Sequence, residues 1–158
     1  MMVRLVPMNK EEFHASLERG VSRVAVDNVD RGLWSRAAAT GYSRSEFAKL
    51  LPKGQKTPGF TFVKALDQAS GERVGEAWYS LDHDGGRPRF WVHWIEVDPP
   101  FRRRGNATWI LEELARRARK AGADRIGLHV QADNSSAIEF YKKIGFAPTS
   151  LRMAKKLM

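Results

Sequence analysis

Cysteine is missing from all 158 residues. That absence excludes disulfides, thiol nucleophiles and every Cys-based zinc site, and it is compatible with a reducing compartment. Long hydrophobic runs are missing as well. The longest apolar stretch, Phe90 to Val97, is interrupted by His93 and Glu96, well short of the roughly 18 residues a membrane span needs. Met1 to Lys10 holds no apolar run of signal-peptide length, so the expectation is a cytoplasmic protein. No repeat, low-complexity tract or Ser/Gly/Pro linker divides the chain, and residues 1–158 are expected to form one domain. At this length folding hides roughly 70% of the surface an unfolded chain exposes, enough for one core without metal or disulfide. The four histidines lack the i, i+4 or carboxylate pattern of a metal site, and none is expected.

Acidic residues are in short supply: 18 against 27 Lys and Arg, a net charge of +9. Such an excess suits an anionic partner or serves solubility alone. Its distribution is more informative. Between Phe101 and Arg125, Arg102, Arg103, Arg104, Arg116, Arg117, Arg119, Lys120 and Arg125 face only Glu112, Glu113 and Asp124.

Hydrophobic periodicity orders the rest. Val3 to Pro7 reads as a strand. Asn9-Lys10-Glu11-Glu12 then offers a capping box ahead of Phe13, Leu17, Val21 and Val24 at helical spacing. Ser43-Arg44-Ser45-Glu46 repeats that logic before a short helix stopped by Pro52, while Asn28 to Thr40 resists assignment. Phe60 to Leu66 and Arg73 to Leu81 form an expected hairpin around Asp67 to Gly71, and a turn over Asp82 to Pro88 leads into Phe90 to Val97. After Pro99-Pro100, Ile110, Leu111, Leu114 and Ala118 mark a helix ended by Gly122. Arg125 to Gln131 reads as a strand, Ser135 to Ile144 as a helix stopped by Gly145, and Phe146 to Leu157 as a final strand region.

The stretch Val97-Asp98-Pro99-Pro100-Phe101-Arg102-Arg103-Arg104-Gly105-Asn106-Ala107-Thr108 carries the most chemistry. A strand ends, the chain turns through arginines and a glycine, and a helix begins. A helix N-terminus has unpaired N–H groups and partial positive charge, and only small residues such as Gly105 and Ala107 let an anion reach them. Arg102-x-x-Gly105-x-Ala107 after Val97-x-Pro99 resembles the pyrophosphate loop of the GNAT superfamily of acyl-CoA-dependent N-acyltransferases. His129 to Phe146, with Asn134, Ala137-x-x-x-Tyr141 and Gly145-Phe146, resembles the family's strand and helix that flank the pantetheine arm. Arg103 departs from the glycine found in many members. The likeness runs from about Arg73 to the end; the first seventy residues agree only in the order of elements.

That resemblance implies an α/β GNAT fold, a mixed and mostly antiparallel central sheet flanked by helices. It implies acetyl-CoA as acyl donor and an amine as acceptor, with direct attack in a ternary complex. Arg102, Arg103, Arg104, Gly105, Asn106, Ala107 and Thr108 would hold the diphosphate. Ile95, Val97, Asn134 and Ala137 would flank the pantetheine, with a backbone N–H near Val97 serving the oxyanion. Tyr141 would donate to the departing thiolate. The reaction needs a base, direct or through water, because a lysine-like amine is mostly protonated at neutral pH. His93, His129 and Glu96 are the candidates, strand alternation placing Glu96 opposite His93 unless a bulge intervenes.

Each residue also has an ordinary role: Tyr141 as a core anchor, His93 as a packed imidazole, Glu96 as an ion-pair partner. Two other functions remain open, a basic RNA- or ribosome-binding domain and a non-catalytic acyl-CoA sensor. No RNP, KH or helix-turn-helix signature supports the first, and a homodimer is compatible with everything above. Gly54-Gln55-Lys56-Thr57 lacks the upstream glycine of a P-loop. Trp34, Trp78, Trp91 and Trp94 line either an acceptor pocket or the core, and Glu11, Glu12, Glu18, Asp27 and Asp30 attract a cationic amine or merely solvate a helix.

Overall fold

A computed structural model describes residues 2–158. The chain forms two compact units, Met1–Gly127 and Leu128–Met158. The elements are β1 (Val3–Pro7), α1 (Lys10–Asp30), α2 (Ala39–Leu50), β2 (Phe60–Asp67), β3 (Arg73–Asp84), β4 (Arg87–Val97), α3 (Asn106–Lys120), β5 (Ile126–Leu128) and α4 (Ser135–Lys143). The strands lie in chain order in one five-stranded sheet, with β1–β2, β2–β3 and β3–β4 antiparallel. Among the described residues no helix is long and apolar enough to cross a membrane.

The expected capping box opens α1: Asn9 Oδ1 accepts from Glu12 N–H, and Glu12 Oε1 accepts from Asn9 N–H, both at 2.8 Å. Consecutive residues of β3 point to opposite faces, and their partners show which helix covers which face. The Trp78 indole donates to Ser16 Oγ of α1 at 2.9 Å. The Tyr79 hydroxyl accepts from Arg117 of α3 at 2.9 Å, and the same guanidinium donates to the Leu5 carbonyl at 2.8 Å. The α1 face holds the aromatic core: Met8, Phe13, Leu51, Phe62 and Trp78 are buried, with Leu17, Phe47, Phe60 and Trp94 packed around them.

Three expectations are corrected. The second helix begins at Ala39, without a side-chain cap, rather than at a Ser43 box. Ser43 is buried inside it and donates to the Val21 carbonyl at 2.7 Å, fastening α2 to α1. The strand expected over Arg125 to Gln131 is confined to Ile126–Leu128. The final strand over Phe146 to Leu157 does not form; Leu151, Met153 and Leu157 are all exposed. A strand exists through hydrogen bonds to a neighbour, which apolar alternation alone does not supply, and Pro148 removes one donor from this segment.

The β3–β4 ladder contains a bulge. Trp78 pairs with Trp94 but Tyr79 pairs with Val92, leaving His93 as the extra residue. Beyond it the strands run close enough that a Cβ on Gly75 would collide with the Glu96 carbonyl oxygen. Gly75→Ala should therefore lower the unfolding free energy by about 1–3 kcal/mol in a urea titration. An unchanged midpoint would mean that β4 retreats without cost.

Candidate active site

In the N-terminal unit, β4 runs directly into the arginine-rich turn that precedes α3. Asp98 follows the strand, its N–H bonded to the Val74 carbonyl at 2.8 Å and its carboxylate paired with Arg73 at 3.1 Å. Pro99–Phe101 forms a single 3-10 turn. Two left-handed residues reverse the chain: Arg103 at φ 60° and Gly105 at φ 80°. A glycine at position 103 would hold this conformation without strain, whereas an L side chain there costs about 1–2 kcal/mol.

Gly105 is the N-cap of α3 and no side chain caps the helix. The N–H groups of its first turn have no carbonyl one turn earlier to reach, which leaves them for an anion. Asn106 is fully buried and braces the turn, Nδ2 donating to the Phe101 carbonyl at 2.9 Å. Its Oδ1 is buried without a hydrogen-bond partner. Ala107 and Thr108 are half-buried, and Arg102, Arg103 and Arg104 are exposed. Arg102 Nε donates to the Val97 carbonyl at 2.9 Å, tying the turn back to the end of β4. Arg104 lies 6.0 Å over the Phe101 ring. Small residues, an uncapped helix start and three arginines together fit a diphosphate.

Because of the bulge, His93, Trp94 and Glu96 share the α1 face, where unbroken alternation would have separated His93 from Glu96. His93 Nε2 and Ser80 Oγ share a 2.7 Å hydrogen bond, and the imidazole packs 4.7 Å from Phe60. Burial, reinforced by Arg89 and opposed by Asp82, pulls its pKa from 6.5 down to about 4. Glu96 is opposite Glu76 in the ladder. Glu76 is fully buried and its carboxylate is well supplied: Arg19 at 2.8 Å, Arg73 at 3.2 Å and the Trp94 indole N–H at 3.1 Å. Arg23 reaches Glu96 Oε2 at 3.2 Å, but out of hydrogen-bond alignment, so that oxygen is buried and paired only by charge. Ile95 and Val97 are half-buried, paired with Ala77 and Gly75. Gly127 of β5 sits under the Trp91 ring, where a Cβ would not fit, so the short strand lies beside the first half of β4.

The C-terminal unit carries the remaining residues. His129 is exposed just after β5. Asn134 is the N-cap of α4, its Oδ1 accepting from Ala137 N–H at 3.3 Å. Tyr141 is half-buried, its ring 5.4 Å from Phe140 and 5.6 Å from Phe146. Burial raises its pKa above the usual phenol value, so the hydroxyl is protonated at neutral pH. Sequence patterns missed Arg19, Arg23, Arg73, Glu76 and Ser80. The one signal was Glu76 itself, a lone carboxylate inside Val74-Gly75-Glu76-Ala77-Trp78, where an unpaired charge would be prohibitive. Among the described residues no group of His, Cys, Asp or Glu is placed to hold a metal.

Arg103→Gly should raise the melting temperature, by up to about 1 kcal/mol of stability, while Gly105→Ala should lower it by a similar amount; equal melting temperatures would refute the strain. His93 sets a pH dependence. The unfolded imidazole takes its proton near pH 6.5 and the folded one only near 4, so the stability from keeping it neutral is complete above 6.5. It is lost as pH falls from 6.5 to 4, and His93→Gln should flatten that part of a stability–pH curve.

The acetyltransferase (GNAT) family model matches residues 26–146. YdgE of Bacillus subtilis (strain 168), named an uncharacterized N-acetyltransferase, is 32% identical over 157 residues, 99% of each chain. YycN of the same organism, similarly named, is 31% identical over 99% of this chain and 100% of its own. A crystal structure of YycN matches with a TM-score of 0.90 at 29% identity, covering 99% of both chains. A Pyrococcus furiosus structure at 21% identity shares the fold, with a TM-score of 0.71 over 98% of this chain and 99% of its own. The turn from β4 into α3 thus lies within a family match over most of the chain, and the protein belongs to the acetyltransferase (GNAT) family as an acyl-CoA-dependent acetyltransferase.

Proposed function

We propose that residues 1–158 act as a single N-acetyltransferase domain in the cytoplasm, moving an acetyl group from acetyl-CoA to a primary amine by direct attack in a ternary complex. The observation that carries this reading is the start of α3: left-handed Gly105, no side-chain cap, and Arg102 to Arg104 beside it. These groups take the diphosphate, and the end of β4 around Ile95 and Val97 takes the pantetheine. A main-chain N–H near Val97 stabilises the oxyanion.

The acceptor nitrogen attacks the thioester carbon, the C–S bond breaks, and two proton transfers complete the exchange. Tyr141 gives its phenolic proton to the departing thiolate, a role supported by the burial that keeps the phenol protonated. Glu96 receives the proton of the amine, directly or through water. His93 is a poorer base: its imidazole is engaged by Ser80 and binds a proton only near pH 4. His129 is exposed to solvent just after β5, which leaves its ring free to reorient.

Thiol release from acetyl-CoA across a panel of primary amines tests the activity, and no release with any amine would overturn it. Tyr141→Phe should lower kcat more than about tenfold with little change in acetyl-CoA affinity; equal turnover would remove Tyr141 from the reaction. Arg102→Ala and Arg104→Ala should weaken acetyl-CoA binding, more at low salt than at high. Affinity losses independent of salt would leave these arginines with a packing role only.

A further inference from the structure

Resting on the proposed acetyl transfer to an amine, we infer that Trp94 and Glu96 form the subsite for the acceptor's ammonium head group, and that Arg23 is an internal cation standing in that subsite until the acceptor displaces it. Three observations converge. The Arg23 guanidinium lies 5.1 Å over the Trp94 ring, where the negative face of an indole holds a cation. The same group is 3.2 Å from Glu96 Oε2. That oxygen belongs to a side chain only 10% exposed and has no hydrogen-bond donor. A buried carboxylate oxygen normally collects aligned donors. This one holds a cation by charge alone, which leaves room for a better-aligned N–H.

Contrast with the neighbouring carboxylate sharpens the assignment. Glu76 and Glu96 face each other across the ladder, and Arg19 and Arg23, one turn apart on α1, approach one each. Glu76 has three aligned donors, including the only indole N–H of Trp94, and is complete as it stands. Glu96 is the unsatisfied member of the pair. Arg23 also lines an open groove of about 550 Å³ along α1, beside Ser22, Val26 and Asp27, so its side chain has space to swing away. An alkylammonium taking the place of the Arg23 guanidinium would bring up to three N–H donors to Glu96 and a cation to Trp94. The chemistry selects protonated primary amines over alcohols and over quaternary ammonium, which has no N–H to give.

Calorimetric titration with 1,5-diaminopentane, without acetyl-CoA, tests the inference. Arg23→Ala should bind this amine about tenfold or more tightly than the unaltered protein, because the internal competitor is gone. Arg23→Lys, which keeps a cation in place, should not. Glu96→Gln should weaken binding about tenfold, and in the Arg23→Ala background it should abolish the gain. 1,5-Pentanediol should not bind. Arg23→Ala binding no more tightly than the unaltered protein, or a gain that survives Glu96→Gln, would overturn the inference. If Arg23→Ala fails to fold, the result with Glu96→Gln alone decides. Thiol release that persists when amine binding ignores Arg23 and Glu96 would sink the subsite but not the acetyl transfer; amine binding of the expected pattern with no thiol release would do the reverse.

Discussion

The arrangement of this protein depends on one buried charge. Glu76 sits in the middle of β3 with no exposed surface, and a carboxylate there is tolerable only while cationic and N–H donors surround it. Its donors come from three places: Arg19 on α1, Arg73 at the start of its own strand, and Trp94 on β4. None can be absent without leaving the charge under-supplied, so helix, strand and neighbouring strand are fixed together. A one-residue slip of β4 would carry the Trp94 N–H to the other face, which makes the carboxylate a lock on register as well. Arg73 extends the constraint by pairing with Asp98, the residue from which the chain leaves the sheet for the turn into α3.

Counting charges along the sequence overstates the size of the basic patch. Eight basic residues fall between Phe101 and Arg125, but they divide by role. Arg117 spends its donors on Tyr79 and the Leu5 carbonyl, and Arg116 lies against Glu113. Arg125 and Arg87 both pair with Asp124. Within that segment, Arg102, Arg103 and Arg104 are grouped at the helix start, and even Arg102 uses one nitrogen to brace the turn. A localised cation group beside main-chain amides suits a small anion, whereas a broad stripe would suit a polyanion.

What could be read from the sequence was local. The Asn9 box, Pro52, Gly122 and Gly145 set helix ends through interactions within a few residues, and the Arg102 to Ala107 spacing places its loop because strand, turn and helix follow directly. What could not be read was non-local. Ser43 looks like a cap from its neighbours, but it bonds to Val21, and only the packing of two helices reveals this. Leu151, Met153 and Leu157 alternate as a strand does, yet strand formation depends on a partner edge that no pattern in the segment encodes. Glu96 was a candidate from position alone; its distinction from Glu76 lies in donors supplied by residues up to 57 positions away.

The bulge at His93 connects these points. Without an extra residue, His93 and Glu96 would project to opposite sides of the sheet, and Trp94 would face α3 with its indole far from Glu76. Inserting one residue shifts the parity of everything that follows, bringing Trp94 to Glu76 and Glu96 to Arg23 on the side that α1 covers. The residue that makes the shift is itself held by Ser80 and Phe60, in surroundings that keep it uncharged. A neutral imidazole is what this position requires: burial disfavours a proton there, and the Arg89 guanidinium opposes it further. The same inserted residue therefore completes one carboxylate and leaves the other in need of a donor.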